Sequence, residues 1–486
     1  MKTLSKTLLA GTALSLALGV ATPAYAAGDT SAALLLRLKE KGILSDEEYN
    51  ELMAGLKTEA AAATSVTPTS GAPGEPQAAA AAALDDKKLV RVMDGGGVGL
   101  NVGGVNLKVS GSVNAFYTHE NADTPGARTT VVGGLASVGS NTSAVRNGLL
   151  PGFLKFDLTT NQAGWDVGAH FGMYPGINSV SGVGGANSAG SPQALSTAGI
   201  DFRQTYITVG RPEVGEFKLG RDIGLFASGA ILNDITLLAV GTPGNNPAPS
   251  NTSLGRIGVG YIYTDFQPQI TYTSPKFGGL QVSAGMFQPL QTLGSTAFET
   301  NGAPGFQGKV TYDAKVGDVG ASLWVSGLSQ KHRNGALGTY TGRAVDAGAK
   351  LSFGPAALTG YYYTGKGVGT TALFLFATDG AGNRRKSDGY YLQGTVGLGK
   401  FTAGASYGRS NLDLTGAERA NRDRRTTTGL YSPLLVDHNS SYVGQLRYGL
   451  TGWVTLIGEY TRTTSVATGG NQAESDAISL GSIIFF

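Results

Sequence analysis

The chain has no cysteine among its 486 residues, and only 5 Met, 3 Trp and 4 His. Without thiols there is no disulfide framework and no thiolate metal site, so stability has to come from backbone pairing and packing. Charge is scarce too: Asp, Glu, Lys and Arg make up 15% of the residues and balance to only +3. That gives no general basic field for nucleic acid, and no nucleic-acid motif is present. Long apolar runs are also missing. The most N-terminal one, Leu8 to Val20, is too short to span as a helix, and no later stretch approaches the roughly 18 residues required, which excludes a helical membrane protein.

Glycine is plentiful, at 75 residues, together with 20 Tyr and 18 Phe, and the mean hydropathy is −0.02. A Leu-rich soluble core is not what this composition builds. A transmembrane β-barrel has this balance, because its strands turn apolar side chains to lipid and polar ones to the lumen. A secreted soluble β-protein is the alternative until the strands are read.

The N-terminus carries an export pattern: Lys2 and Lys6, the apolar run, then Pro23 and the small-residue site Ala24-Tyr25-Ala26. A signal peptide over residues 1–26 is expected. Residues 27–57 read as a short α-helical, coiled-coil-like segment. Leu34, Leu35, Leu36 and Leu38 precede a stop at Gly42; Ser45 and Glu48 then fit a capping box ahead of Tyr49, Leu52, Met53 and Leu56. Two helices this short cannot bury a core alone. Residues 31–56 therefore need sister chains or a periplasmic component such as peptidoglycan, unless they are a solvated spacer. Residues 58–105 form an Ala/Pro/Gly-rich linker and lead-in.

From 106 to 486 the pattern is period two. Leu107, Val109, Gly111, Val113, Ala115 and Tyr117 alternate with Lys108, Ser110, Ser112 and Asn114. Short turns near 161–164, 211–216, 274–279, 314–318, 353–356, 397–400 and 449–452 each sit between two such runs. Seven hairpins and one strand at each end predict an all-β fold, a 16-stranded antiparallel transmembrane β-barrel. The intervening polar segments, near 119–151, 174–200, 223–253, 289–306, 329–343, 366–387, 411–439 and 465–474, are the expected outer loops. Tyr361-Tyr362-Tyr363, Tyr390-Tyr391, Trp453 and Tyr460 suit interface girdles or, alternatively, a Tyr-rich lumen.

The stretch from Asp201 to Arg256 organises the rest. Asp201 to Gly210 and Val214 to Gly224 read as a hairpin, followed by a loop expected over 225–253 and strand re-entry at Leu254-Gly255-Arg256. An Arg-aromatic strand, a turn, and Val214-Gly215-Glu216-Phe217-Lys218-Leu219-Gly220-Arg221-Asp222-Ile223-Gly224 resemble the general trimeric porins of Gram-negative outer membranes. The terminal Phe486, after Ile478, Leu480, Ser482 and Ile484 on one face, is similar to the end signal of outer-membrane barrels. The resemblance implies a homotrimeric diffusion channel in the outer membrane, contacting its lipid and lipopolysaccharide, with the third loop folded inward. It places Arg203, Arg221 and Arg256 on a basic wall, with Asp222 and Asp234 as the acids of the constriction. Strand parity disagrees for Arg221, which alternates with Phe217 and Leu219. Leu150-Pro151-Gly152-Phe153 stands where an inward basic residue is usual, so Lys155 is the substitute.

Enzymatic readings find no support. His119, His332 and His438 are expected in loops and His170 alone on a strand, with no acid or Ser at catalytic spacing, and neither a cofactor nor a metal site is expected. The clusters Lys331-His332-Arg333, Arg384-Arg385-Lys386 and Arg419 with Arg422, Arg424 and Arg425 fall in expected outer loops, where they solvate the loops, draw anions or meet lipopolysaccharide phosphates. A closed structural or receptor barrel, tethered to the cell wall by the N-terminal helices, is the second reading.

Overall fold

The structure, a computed structural model, describes residues 90–92, 98–177, 200–244, 252–293, 299–334, 338–423 and 431–486. The expected signal peptide, helical segment and most of the linker lie outside these residues, as do Arg424 and Arg425.

Sixteen antiparallel strands close into one barrel. In chain order they are β1 (Val105–Asn121), β2 (Phe153–Gln162), β3 (Trp165–Pro175), β4 (Ile200–Arg211), β5 (Gly215–Ile223) and β6 (Phe266–Thr273). Next come β7 (Leu280–Phe287), β8 (Gly305–Val316), β9 (Val319–Asn334), β10 (Gly338–Phe353) and β11 (Ala356–Lys366). The last are β12 (Lys386–Leu398), β13 (Phe401–Asp413), β14 (Val436–Gly449), β15 (Val454–Ala467) and β16 (Gln472–Phe485). β16 pairs with β1, Ile484 opposite Val113, so no edge is left to aggregate. Below the last residue of β16, Gly111 and Phe486 exchange backbone hydrogen bonds of 3.0 Å each way.

Period-two burial explains why these residues choose strands. Val113 and Tyr117 of β1 are half-exposed on the outer face, whereas Ser112 and Asn114 are buried toward the inside. On β16, Ile478 and Leu480 likewise face out while Ser475 and Ser479 face in. All seven expected hairpin turns are present, and the other eight connections lie at the opposite end of the barrel. The aromatic clusters divide by parity: Tyr362, Tyr390, Trp453 and Tyr460 are exposed on the outer surface, and Tyr361, Tyr363 and Tyr391 are buried inside.

Four expectations are corrected. Residues 119–121, 329–334, 338–343 and 436–439 belong to strands, not loops, because β1, β9, β10 and β14 run on past the expected boundaries; His119, His332 and His438 therefore all sit on strands. Re-entry after the third loop comes at Phe266 rather than Leu254. Gly255 and Gly258, at φ +58° and +78°, coil a stretch that otherwise alternates like a strand. The second strand is interrupted: Thr142–Arg146 pairs with the outer half of β1 (Arg146 opposite Phe116), β2 pairs with its inner half (Phe153 opposite Ser112), and residues 147–152 leave the ladder between them. Finally, two short strands occupy the lead-in, Val90–Val92 and Val98–Val102, the second pairing with the base of β1.

Candidate functional site

The third outer loop, Gly224 to Asp265, begins a circuit of the inner wall. The backbone N–H groups of Leu225 and Phe226 both donate to Gln307 Oε1 of β8 at 2.9 Å, and that of Ala227 donates to Asp346 Oδ2 of β10 at 2.8 Å. Helix α1 (Ser228–Asn233) follows, with Gly229 against the Trp324 ring; a Cβ there would lie 2.4 Å from the indole nitrogen. Tyr391 of β12 donates its hydroxyl to the Ala230 carbonyl at 2.9 Å. Its neighbour Gln393 accepts from Ile235 N–H at 2.9 Å and donates to the Asn233 carbonyl at 2.6 Å. Arg447 of β14 donates to the Ile235 carbonyl at 2.5 Å. Glu459 Oε1 of β15 accepts from Val240 N–H at 3.1 Å and Gly241 N–H at 2.6 Å. The chain then meets the break in the second strand: Leu149 N–H donates to the Ala239 carbonyl at 2.7 Å, and Ser253 N–H to the Gly148 carbonyl at 3.1 Å.

These anchors follow one chemical rule. A buried loop carries backbone donors that water cannot reach, so inward carboxylates and carboxamides must satisfy them. Gln307, Asp346, Gln393 and Glu459 do so, and none was singled out from the sequence. Their signal was present: each is a long or charged polar side chain at inward parity among Ser, Thr and Gly.

Asp234 fastens the loop to itself. Its carboxylate caps a 3₁₀ turn over Ile235–Leu238 by accepting from Thr236 N–H (2.8 Å) and Thr236 Oγ1 (2.7 Å). It also accepts from the hydroxyl of Tyr261 at 2.8 Å and from Arg256 N–H at 3.3 Å. Arg256 is fully buried, with Nη1 on the Ser441 hydroxyl of β14 at 3.2 Å. Burial lowers its pKa, opposed chiefly by the nearby charge of Asp234. Arg256 thus lies within the loop, not on a wall strand. Around this buckle Phe226, Ile231, Tyr261, Tyr361, Phe374 and Tyr391 belong to one apolar cluster drawn from the third and sixth loops and the inner wall.

The facing wall, β2 to β6, carries the other candidate residues. Between the pairs Gly172–Gln204 and Tyr174–Asp201, β3 has one residue and β4 has two. This bulge reverses the parity beyond it: Phe202 is exposed outside and Arg203 is buried inside, its guanidinium 5.4 Å from the Tyr174 ring and 5.9 Å from that of Phe266. No bulge intervenes at Arg221, which keeps the parity of the exposed Phe217 and Leu219 and donates to the Phe266 carbonyl at 2.7 Å. Asp222 is buried on the inner side, paired with Lys218 Nζ at 2.5 Å and accepting from Gln204 Nε2 at 2.7 Å. Lys155 stands on β2 with its Nζ 5.1 Å from the Phe153 ring centre. Near it, His170 Nδ1 meets Asp157 Oδ1 at 2.6 Å and its ring stacks on Tyr206 at 4.6 Å. The structure therefore groups Lys155, Arg203 and Asp222 on one wall, Asp234 and Arg256 in the loop, and sets Arg221 apart. Among the described residues, no group of three or more His, Asp or Glu could hold a metal ion.

A closed barrel of sixteen strands, short turns at one end and a long third loop fastened to its inner wall define an outer-membrane channel. The family model for Gram-negative porins matches residues 60–468, and the chain belongs to that family. No curated protein matches it. Among solved structures it is similar to the outer-membrane channel DcaP of Acinetobacter baumannii, at 15% identity and TM-score 0.59, covering 79% of this chain and 98% of that one. It is also similar to an anion-selective porin from Comamonas acidovorans, at 16% identity and TM-score 0.51, covering 79% of this chain and 100% of that one. At these identities the likeness is one of fold. The protein is thus a channel of the Gram-negative outer membrane.

Proposed function

We propose that this porin lets ions and small hydrophilic solutes diffuse passively through a water-filled lumen whose narrowest point is set by the third loop. The observation that carries the reading is the loop's set of anchors, from Gln307 on β8 to Glu459 on β15, all on inward side chains. A loop so held leaves solutes the space beside the wall of Lys155, Arg203 and Asp222. There Lys155, Arg203 and Lys218 stand against Asp157 and Asp222, and the surplus of positive charge, where mobile ions screen poorly, favours anions. Asp234 and Arg256 shape the loop from within. Arg221, on the outer parity, takes no part in the filter. The channel is a homotrimer, and residues 31–56 add to the contact between its chains or, alternatively, reach peptidoglycan or another periplasmic component.

The test is the zero-current potential of purified protein in planar bilayers under a salt gradient. Arg203→Ser with Lys155→Ser should move it toward cation preference, most at low salt, while Arg221→Ser leaves it unchanged. An unchanged potential in the double variant removes the proposed filter. The apolar cluster that packs the third and sixth loops together favours a second reading, a closed barrel with a structural or receptor role. A folded protein that gives no conductance steps would establish that one instead.

A further inference from the structure

On the wall that holds the third loop, just beneath it, lies a cation with no acid to answer it. Lys350 of β10 shares the inner face with Asp346, which fastens Ala227, and stands two inward positions nearer the short turn at 353–356. Cross-strand pairing runs from Lys350 through Thr359 to Gln393, whose amide holds Asn233 and Ile235. Arg447 of β14 is likewise one inward position below Gln445, which donates to the Ile235 carbonyl at 3.2 Å. Both cations therefore lie on the periplasmic side of the loop's anchors, and both are half-buried.

The acids of this wall are already committed. Asp346 accepts from Ala227 N–H, from Ser326 N–H and hydroxyl, and from the Tyr361 hydroxyl, at 2.6 to 3.1 Å. Asp313 is paired with Lys276 at 2.8 Å and accepts from Ser322 at 2.8 Å. Glu459 takes the Val240 and Gly241 N–H groups and the amide of Gln445. Asp234 and Glu459 act together on Arg256 and Arg447, two acids against two cations. Lys309 of β8 donates to Ser228 Oγ at 3.0 Å and is balanced by Asp346. Lys350 is left over. Among the described residues it has no hydrogen bond or ion pair, and the charge that acts on it is that of Arg447, which repels it. Two like charges in a partly dehydrated site cost free energy unless an anion bridges them. Donors for one are free: the Lys350 ammonium is unspent, and Arg447 uses Nε on Gln445 and Nη2 on Ile235, leaving Nη1. An oxyanion offers each cation its own oxygen as a charge-assisted acceptor, whereas chloride must be shared at one centre.

We propose that Lys350 and Arg447 form a binding station for small oxyanions, the carboxylate or sulfate groups of permeating solutes, on the periplasmic side of the third loop and across the lumen from the wall of Lys155 and Arg203. The station rests on the open-channel reading above and adds to it a place where the solute pauses beyond the narrowest point. The test uses sulfate as the probe, added at constant chloride to the full-length protein in planar bilayers. Sulfate should block chloride current in wild type, more strongly from the side of the short turns than from the loop side. Lys350→Gln removes no native bond, so the variant folds; it should raise the half-blocking concentration about tenfold, the loss of one charge-assisted hydrogen bond. Lys155→Ser should shift the zero-current potential and keep the block. If it keeps the block without that shift, the filter fails and the station stands. Absence of block in wild type, equal block from both sides, or block unaltered in Lys350→Gln overturns the station. A protein that carries no current is tested by melting, read as heat-modified gel migration in sulfate against chloride at equal ionic strength. Sulfate should raise the wild-type melting temperature more than that of Lys350→Gln, and equal shifts overturn the proposal.

Discussion

Asp234→Ala tests whether the third loop is a fixed part of the channel. The carboxylate accepts from Thr236 N–H, Thr236 Oγ1 and Tyr261 hydroxyl, each within 2.8 Å, and both residues are fully buried. Removing it strands three donors where water does not reach, at about 1 kcal/mol or more apiece. The closed form of the loop should then lose about 3 kcal/mol relative to released forms, raising their population by roughly two orders of magnitude, since 1.4 kcal/mol is tenfold. The barrel itself should be almost untouched, because its ladder of strand pairs does not include Asp234. The assay is single-channel recording beside heat-modified gel migration. The expected record is a barrel melting as wild type does, with current noise and brief conductance excursions that wild type lacks. Wild-type noise and conductance in a folded Asp234→Ala channel would refute the idea that this buckle holds the loop.

Gly229→Val should be worse for the loop than its size suggests, since its Cβ would meet the Trp324 indole at 2.4 Å. Overpacking of about 1–3 kcal/mol should displace α1, read as altered conductance with an intact barrel. Glu299 on the fourth loop takes hydrogen bonds from Asn301 at 3.1 Å and from His332 at 2.9 Å, and also bonds Thr292. Burial alone would raise its pKa, but these bonds hold it below the usual carboxylate value. A depressed folded pKa stabilises above the unfolded value of about 4.3 and is lost as pH falls through the folded one. Hydrogen exchange around Glu299 should therefore rise below pH 4, and Glu299→Gln should lack that rise. Deleting residues 27–84 should lower the temperature at which trimers dissociate in detergent while monomers stay folded; unchanged dissociation would leave that segment a tether or a spacer.

Period two and turn chemistry made the barrel legible, because one face of each strand meets lipid and a change of register would put the whole set of side chains on the wrong side. Parity was a weaker guide to the charges. Arg203 lies inside only because β4 has an extra residue opposite Met173, and a bulge has no signature in the alternation of Phe202, Arg203 and Gln204 themselves. Arg221 obeyed simple parity. The end of the loop was misread because Ile257-Gly258-Val259-Gly260-Tyr261-Ile262-Tyr263 alternates convincingly, and only left-handed glycines coil it. Leu150-Pro151-Gly152 registered as a departure without a cause. Its cause is long-range: the backbone there bonds to the third loop, and no local pattern announces a partner some 90 residues away.

That break also dictates an order of events during biogenesis. Between Arg146 and Phe153 the second strand has no ladder to β1, and its place is taken by bonds to Leu237 and Ala239. The first hairpin cannot mature alone, since its seam requires a segment made some 90 residues later. That segment in turn leans on Gln393 and Glu459, made later still. Completion of the β1–β2 seam and seating of the third loop on β12 and β15 are therefore coupled.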